Sequence, residues 1–360
     1  MNKVINFGKY ETLSVLANVF IIKIFLGLPS ELSKNAGSAG WIVSLISGGI
    51  FLFILYLIFK LYDADGRNDI YDLTENIGGK PLLYIFSLVL LISFLVKGAL
   101  LIRVSVDVIR AVLPFDISPF LCYFLFFIGS VFCAFKGLEG VVRLHAVFLP
   151  IILLAFVFAV SICFLNPDIT NLFPILGFGA KNVVVSGLKY TGIYSDLIYV
   201  FLLCPYVKDK KVYKKACFGG VILSAIVITL VLFSYSLAVP YPQSTKLFMP
   251  VYQISRFVKI ASNSQGFEAF ILPEWIISSL LYISLSIYFS YETLNRVFKP
   301  KYDKIFAIPV AIVIFLLALL PESFEKATQI GIKIVNPYVL IVSGLAVLIA
   351  VIYKIRRKYG

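Results

Sequence analysis

Lys97 stands near the middle of the apolar run Leu82–Leu113, with no acidic residue within helical reach on its own segment. A charge at membrane depth costs roughly 2.5–3.5 kcal/mol even on the lenient insertion scale. Lys97 therefore needs a partner on another segment, in water or on a ligand. Three more stretches place polar groups inside apolar runs. "IFLGLPSELS" puts Gly27, Leu28, Pro29 and Ser30 in the first run, just after Lys23. "KYTGIYSD" puts Thr191, Gly192, Tyr194, Ser195 and Asp196 in the sixth. Ser279, Tyr282 and Ser286 recur at steps of three and four in the eighth, forming one polar stripe on an apolar helix. Serines in membrane helices also bond their own backbone, so that stripe alone carries little weight. The chemistry these groups share is recognition of a small polar solute through ammonium, carboxylate, hydroxyl and exposed backbone. Arg103 and Asp107, four residues apart, read instead as a local ion pair.

Motifs for catalysis are missing. There is no G-x-S-x-G, no H-E-x-x-H and no phosphate loop, and the "GFG" at Gly177–Gly179 lacks the rest of a dinucleotide fingerprint. His145, the one histidine, has no ligand cluster and reads as structural. Cys122, Cys133, Cys163, Cys204 and Cys217 lie in or beside apolar runs without a C-x-x-C, and read as buried free thiols. "DADGRND" (Asp63–Asp69) faintly resembles a calcium loop, but Arg67 stands where a ligand oxygen belongs, so it reads as a solvated loop. The expectation is a protein that is not an enzyme and holds no metal or cofactor.

Composition supplies the elements that must position these groups. Apolar residues are 60% of 360 and charged residues 14%, where a soluble domain carries about a quarter charged. Mean hydropathy is +0.97. Runs of about 20 apolar residues, enough to cross a bilayer as a helix, recur along the chain. They cover Tyr10–Asn35 (broken), Trp41–Leu61, Leu82–Leu113, Pro119–Phe135, Val141–Leu165, Asn182–Tyr206, Tyr213–Val239, Phe270–Val297, Ile305–Leu320 and Val335–Ile355. A bilayer admits only helices or closed barrels, and the alternating segments of a barrel are absent. The fold class is all-α: a polytopic membrane protein of about ten transmembrane helices, one transmembrane domain over 1–360. The first run continues past its break and lacks a small-residue cleavage site, unlike a signal peptide.

Charge sets an orientation. With the amino terminus in the cytoplasm, 20 of the 32 Lys and Arg residues fall inside, among them Lys60, Lys136, Lys208, Lys210, Lys211, Arg296, Lys304 and Arg356. This is the positive-inside pattern, with both termini cytoplasmic. The net charge of +13 is thus topology; a nucleic-acid partner would need a basic face on a soluble domain.

The breaks give the strongest functional signal. Pro29 lacks an N–H and Gly27 lowers helix propensity. Ten helices divide into halves, 1–165 and 181–360, and the first helix of each is interrupted, at Gly27–Pro29 and near Gly192. Five helices per half make the repeat inverted, which is the pattern of transporters with discontinuous helices and a midplane site. Half-helix amino termini suit a carboxylate and unwound carbonyls suit an ammonium. The expected ligand is a small zwitterion or similar solute. Asp196 is left with an ammonium, a proton or Lys97 as partner.

Three local features complete the reading. "DIYDLTENIGGKP" forms a short surface helix ending at Gly78–Gly79. In the outer loop at 240–269, "KLFMPVYQISRFVKIA" has an amphipathic spacing that fits either an interfacial helix or a loop helix packed on the bundle. Ala216, Gly220 and Ser224 have the small-x-x-x-small spacing of a close helix contact.

The chain resembles the endospore germination permeases, the B subunits of nutrient germinant receptors, in the amino acid–polyamine–organocation (LeuT/APC-like) superfamily. "GLPSELSKNAGSAGW", "DLTENIGGK", "FKGLEGVVRLHAVFLP", "NLFPILGFG" and "YSDLIYVFLLCPYVKDKK" carry the likeness by their order and spacing. The family usually has Glu where Asp196 stands, nine residues before Pro205, and tends to have an Arg beside an acidic group before Trp275. Here "FEAFILPEW" offers Glu268 and Glu274 without an Arg. The resemblance implies a 5+5 inverted repeat with broken helices 1 and 6. It also implies a nutrient sensor, commonly for amino acids, in the spore inner membrane. Such a sensor works with a larger A subunit and a lipoprotein C subunit, and its response is germination. The alternative is a secondary amino-acid transporter coupled to protons or sodium.

Overall fold

The computed structural model describes residues 7–25, 27–61, 69–113, 116–164, 167–207, 209–247, 250, 268–302 and 304–359. The loop over residues 63–68 and nearly all of the amphipathic stretch after Leu247 lie outside these. Among the described residues all regular structure is helical. Among the described residues, six helices are long and apolar enough to cross a membrane. Shorter apolar helices and two interrupted ones complete the bundle.

The first span is α1 (Lys9–Ile21), a 3-10 turn over Ile22–Phe25 and α2 (Leu28–Ala36). Gly27 sits between them at φ 75°, a left-handed conformation that costs any residue with a Cβ, and Pro29 enters the first turn of α2 where its missing N–H loses nothing. α3 is Gly40–Leu61. α4 is Ile70–Val112, capped by Asp69, whose carboxylate accepts from the Tyr71 N–H at 3.1 Å. Gly79, at φ 68° and ψ −166°, breaks it into the expected surface helix and a membrane helix that starts at Pro81.

α5 (Pro119–Phe135) and α6 (Gly137–Cys163) follow. Phe120, Phe124, Ile128 and Phe132 lie at steps of four on α5 and are all exposed. An apolar stripe turned outward needs an apolar solvent, which is lipid. The sixth span is α7 (Ala180–Lys189), a 3-10 segment over Tyr190–Leu197, α8 (Ile198–Leu202) and a final turn at Cys204–Tyr206. α9 is Lys210–Ala238, α10 Glu268–Phe298 and α11 Ala307–Ala318. The last span starts earlier than hydropathy suggests: α12 (Phe324–Ile330) runs through a π turn at Gly331–Val335 into α13 (Asn336–Tyr359). Glu325, Lys326, Gln329 and Lys333 make that first part look like a loop.

The first and seventh spans touch at backbone distance. A Cβ on Gly220 would lie 2.9 Å from Leu16 Cβ and 3.1 Å from Leu13 O. Ala216 and Ser224 are fully buried on the same face. Arg103 and Asp107 pair at 2.8 Å, as their spacing suggests. His145 is buried and bonds the Val141 carbonyl at 2.8 Å.

Candidate functional site

The breaks of the first and sixth spans face each other, and α4 and α10 close the space between them. Lys23, on the 3-10 turn after α1, lies 2.6 Å from Asp196 Oδ2. Lys97 of α4 lies 2.5 Å from Asp196 Oδ1. Ser195 Oγ accepts from both ammonium groups, at 3.0 and 3.1 Å, and donates toward Asn336 Oδ1 at 3.5 Å. Tyr282 OH donates to Asp196 Oδ1 at 3.2 Å. The Ser195 carbonyl accepts from Ser343 Oγ of α13 at 2.8 Å. All three charged groups are buried: Lys23 5%, Lys97 8% and Asp196 1% exposed.

The local backbone makes this possible. In a regular α-helix, neighbours point about 100° apart. Across Tyr190–Leu197 the helix is tightened to 3-10, with irregular angles at Tyr194 (ψ 24°) and Asp196 (ψ 25°). A 3-10 turn alone would set neighbours about 120° apart, so the irregular angles are what let adjacent Ser195 and Asp196 serve the same two lysines. Gly192 does not have a positive φ, so the sixth span departs from α geometry over eight residues instead of turning at one glycine.

Counted by formal charge, the cluster carries two positive groups and one negative. An unmatched charge in a membrane interior is costly, and an anionic guest group would balance it. Beside the lysines is a cavity of ≈ 50 Å³ with Leu28, Leu100, Val104, Val335 and Asn336 in its wall. That is room for a few waters or a compact solute. It shares Leu28, Ile193, Ile332 and Asn336 with a larger space of ≈ 270 Å³. That space shares Glu31 and Lys333 with a vestibule of ≈ 440 Å³ beside Gly27 and Ser30. These spaces open on the side of the bundle opposite the amino terminus. On the amino-terminal side the cluster is sealed by rings. Tyr199 packs on Phe94 and Phe289, with centroids 5.7 and 5.5 Å apart.

The residues singled out in the sequence separate into groups. Leu28, Lys97, Ser195, Asp196 and Tyr282 meet at the cluster or its cavity. Gly27 and Ser30 border the vestibule, where Ser30 Oγ donates to the Leu247 carbonyl at 2.9 Å. Gly192 borders the middle space. Thr191 bonds its own helix at Gly187 O. Tyr194 stacks on Phe51 at 4.8 Å. Ser279 accepts from Ser105 at 3.0 Å. Pro29 is buried in the first turn of α2. Asn336 and Ser343 carried no signal in the sequence, because a lone polar residue on a terminal helix has no spacing to flag it. Lys23 had one: a charge in an apolar run directly before a break.

The family profile described as "Spore germination protein" matches residues 8–326. Spore germination protein YndE of Bacillus subtilis (strain 168) is 24% identical over 351 residues, covering 96% of this chain and 95% of that protein. Spore germination protein A2 of the same strain is 24% identical, over 88% and 87% of the two chains. Among solved structures, a Na+-coupled sialic acid symporter in a substrate-bound outward-open state matches with TM-score 0.68 at 14% identity, over 95% of this chain and 79% of its own. Mhp1, a nucleobase-cation-symport-1 family transporter, in a closed conformation with bromovinylhydantoin bound, matches with TM-score 0.67 at 14% identity, over 96% and 78%. These likenesses show the fold, a LeuT/APC-like bundle with interrupted first and sixth helices. The profile match spans most of the sequence, and the chain belongs to the spore germination protein family.

Proposed function

We propose that this chain is the nutrient-sensing membrane subunit of a spore germinant receptor and binds a small amino acid between its interrupted helices. The observation that carries this reading is the buried Lys23–Asp196–Lys97 cluster, with its extra positive charge, beside a small cavity. The solute's carboxylate lies against Lys23, Lys97 and the amino-terminal end of α2. A short apolar substituent lies against Leu100, Val104 and Val335. Asn336 Oδ1 and the carbonyls of the irregular segment of the sixth span take the ammonium. The role is binding, not catalysis.

Both termini lie in the cytoplasm in this reading, and the vestibule opens on the other side of the spore inner membrane. The larger A subunit and lipoprotein C subunit belong to the proposal through the family resemblance. The response to binding is germination. A secondary amino-acid transporter is the second reading, favoured by the likeness to symporters and by a site open to one side and sealed by rings on the other.

Purified protein in liposomes separates the two. Saturable binding of an amino acid without uptake supports the receptor. Uptake against a gradient, driven by protons or sodium, supports the transporter.

A further inference from the structure

Glu274 is an acidic residue in the membrane-spanning part of α10 that the solute site does not use. It is 3% exposed. Its one hydrogen bond among the described residues comes from Ser278 Oγ to Oε1, at 2.9 Å. No Lys or Arg lies within ion-pair distance of it there. The charged groups on the elements packed against α10 are engaged elsewhere. Lys23 and Lys97 hold Asp196. Arg103 pairs with Asp107, Arg110 with Asp116, and Arg143 with Glu139. His145 bonds Val141 O, and Lys9 and Glu11 lie at the opposite end of α1. Trp275, packed at 4.7 Å on Phe25, covers the neighbouring surface.

An unpaired carboxylate in such surroundings is a buried charge with one hydrogen bond, which is expensive. A carboxylic acid is neutral, and its carbonyl oxygen keeps the hydrogen bond from Ser278 Oγ. A metal cation needs several oxygen ligands and room for itself. None of the described cavities is lined by Glu274 or Ser278, and a proton needs no such room.

We infer that Glu274, with Ser278, is a reversible proton-binding site. It lies two turns of α10, about 12 Å, from Tyr282 at the solute cluster. The assignment stands independently of which solute that cluster takes.

The test is infrared spectroscopy of the purified protein in lipid as pH is raised, on the wild type, Glu274→Gln and Glu274→Asp. A carboxylic-acid C=O band that disappears with rising pH, is missing in Glu274→Gln and is displaced in Glu274→Asp is the expected result. Identical bands in the wild type and Glu274→Gln would overturn the assignment, as would a Glu274 band that never titrates. If Glu274→Gln does not fold, Glu274→Asp decides, since an undisplaced band excludes residue 274 as its source.

Discussion

Lys23 and Asp196, far apart in the chain, meet at 2.6 Å where the first and sixth spans are both interrupted. Lys97 holds the other oxygen of the same carboxylate. One acidic group thus ties together both breaks and the third span, and its removal should cost more than the removal of either lysine.

Asp196→Asn leaves two buried ammonium groups without a counter-charge. A loss of about 3–5 kcal/mol is expected, because breaking a buried pair strands the partner. Lys97→Met leaves a one-to-one pair of Lys23 and Asp196 and should be much less harmful. Thermal unfolding in detergent checks the order. Equal losses in the two variants would mean that charge balance does not govern this cluster.

Much of this arrangement was legible in the sequence. Lys97 lacked a partner on its own helix, and Asp196 sat in an apolar run, so a pair between spans was one of the partners left open, beside water, a proton or a ligand. The break at Gly27–Pro29 was visible because glycine and proline act through local backbone chemistry. The sixth span was harder. Its irregular 3-10 segment runs from Tyr190 to Leu197 without a positive φ, and tertiary hydrogen bonds such as Ser343 to Ser195 O hold it. Tertiary contacts leave no local signature. For the same reason Asn336 was invisible, and the polar face of α12 passed for a loop although it lines the vestibule.

The two glycines at the breaks should therefore respond differently. At Gly27, φ 75° makes Gly27→Ala cost roughly 1–2 kcal/mol through backbone strain, although a Cβ there meets only Thr328 Cγ2 at 3.9 Å. At Gly192 the backbone tolerates a Cβ, whose nearest neighbour would be Asn336 Cβ at 3.9 Å. Gly192→Ala should stay within about 0.5 kcal/mol of wild type. Melting temperatures of the two variants decide this; equal destabilisation would contradict the assigned backbone.

Gly220→Leu should prevent close approach of α9 to α1. Its Cβ alone would sit 2.9 Å from Leu16 Cβ, and overpacking costs typically 1–3 kcal/mol or more. Reduced yield of folded protein, read by size-exclusion chromatography, is the expected outcome. Wild-type yield and stability would show that the helices separate freely.

Orientation can be read with single cysteines at Lys210 and Lys246 in a cysteine-free background. The ten-span arrangement places them on opposite sides, with Lys210 cytoplasmic. An impermeant thiol reagent should label one from each side. Labelling of both from one side would contradict the arrangement.

The central claim is that the Lys23–Asp196–Lys97 cluster receives a solute carboxylate. The direct measurement is ligand-induced thermal stabilisation, in nanodiscs, across the standard amino acids, for the wild type and Lys97→Met. At least one small amino acid should raise the wild-type melting temperature in a saturable way, with Lys97→Met folded but at least tenfold weaker in apparent affinity. Loss of one charge-assisted hydrogen bond, about 1.5–3 kcal/mol, predicts that factor. Equal affinity in the two proteins, or no stabilisation by any amino acid, would contradict the account.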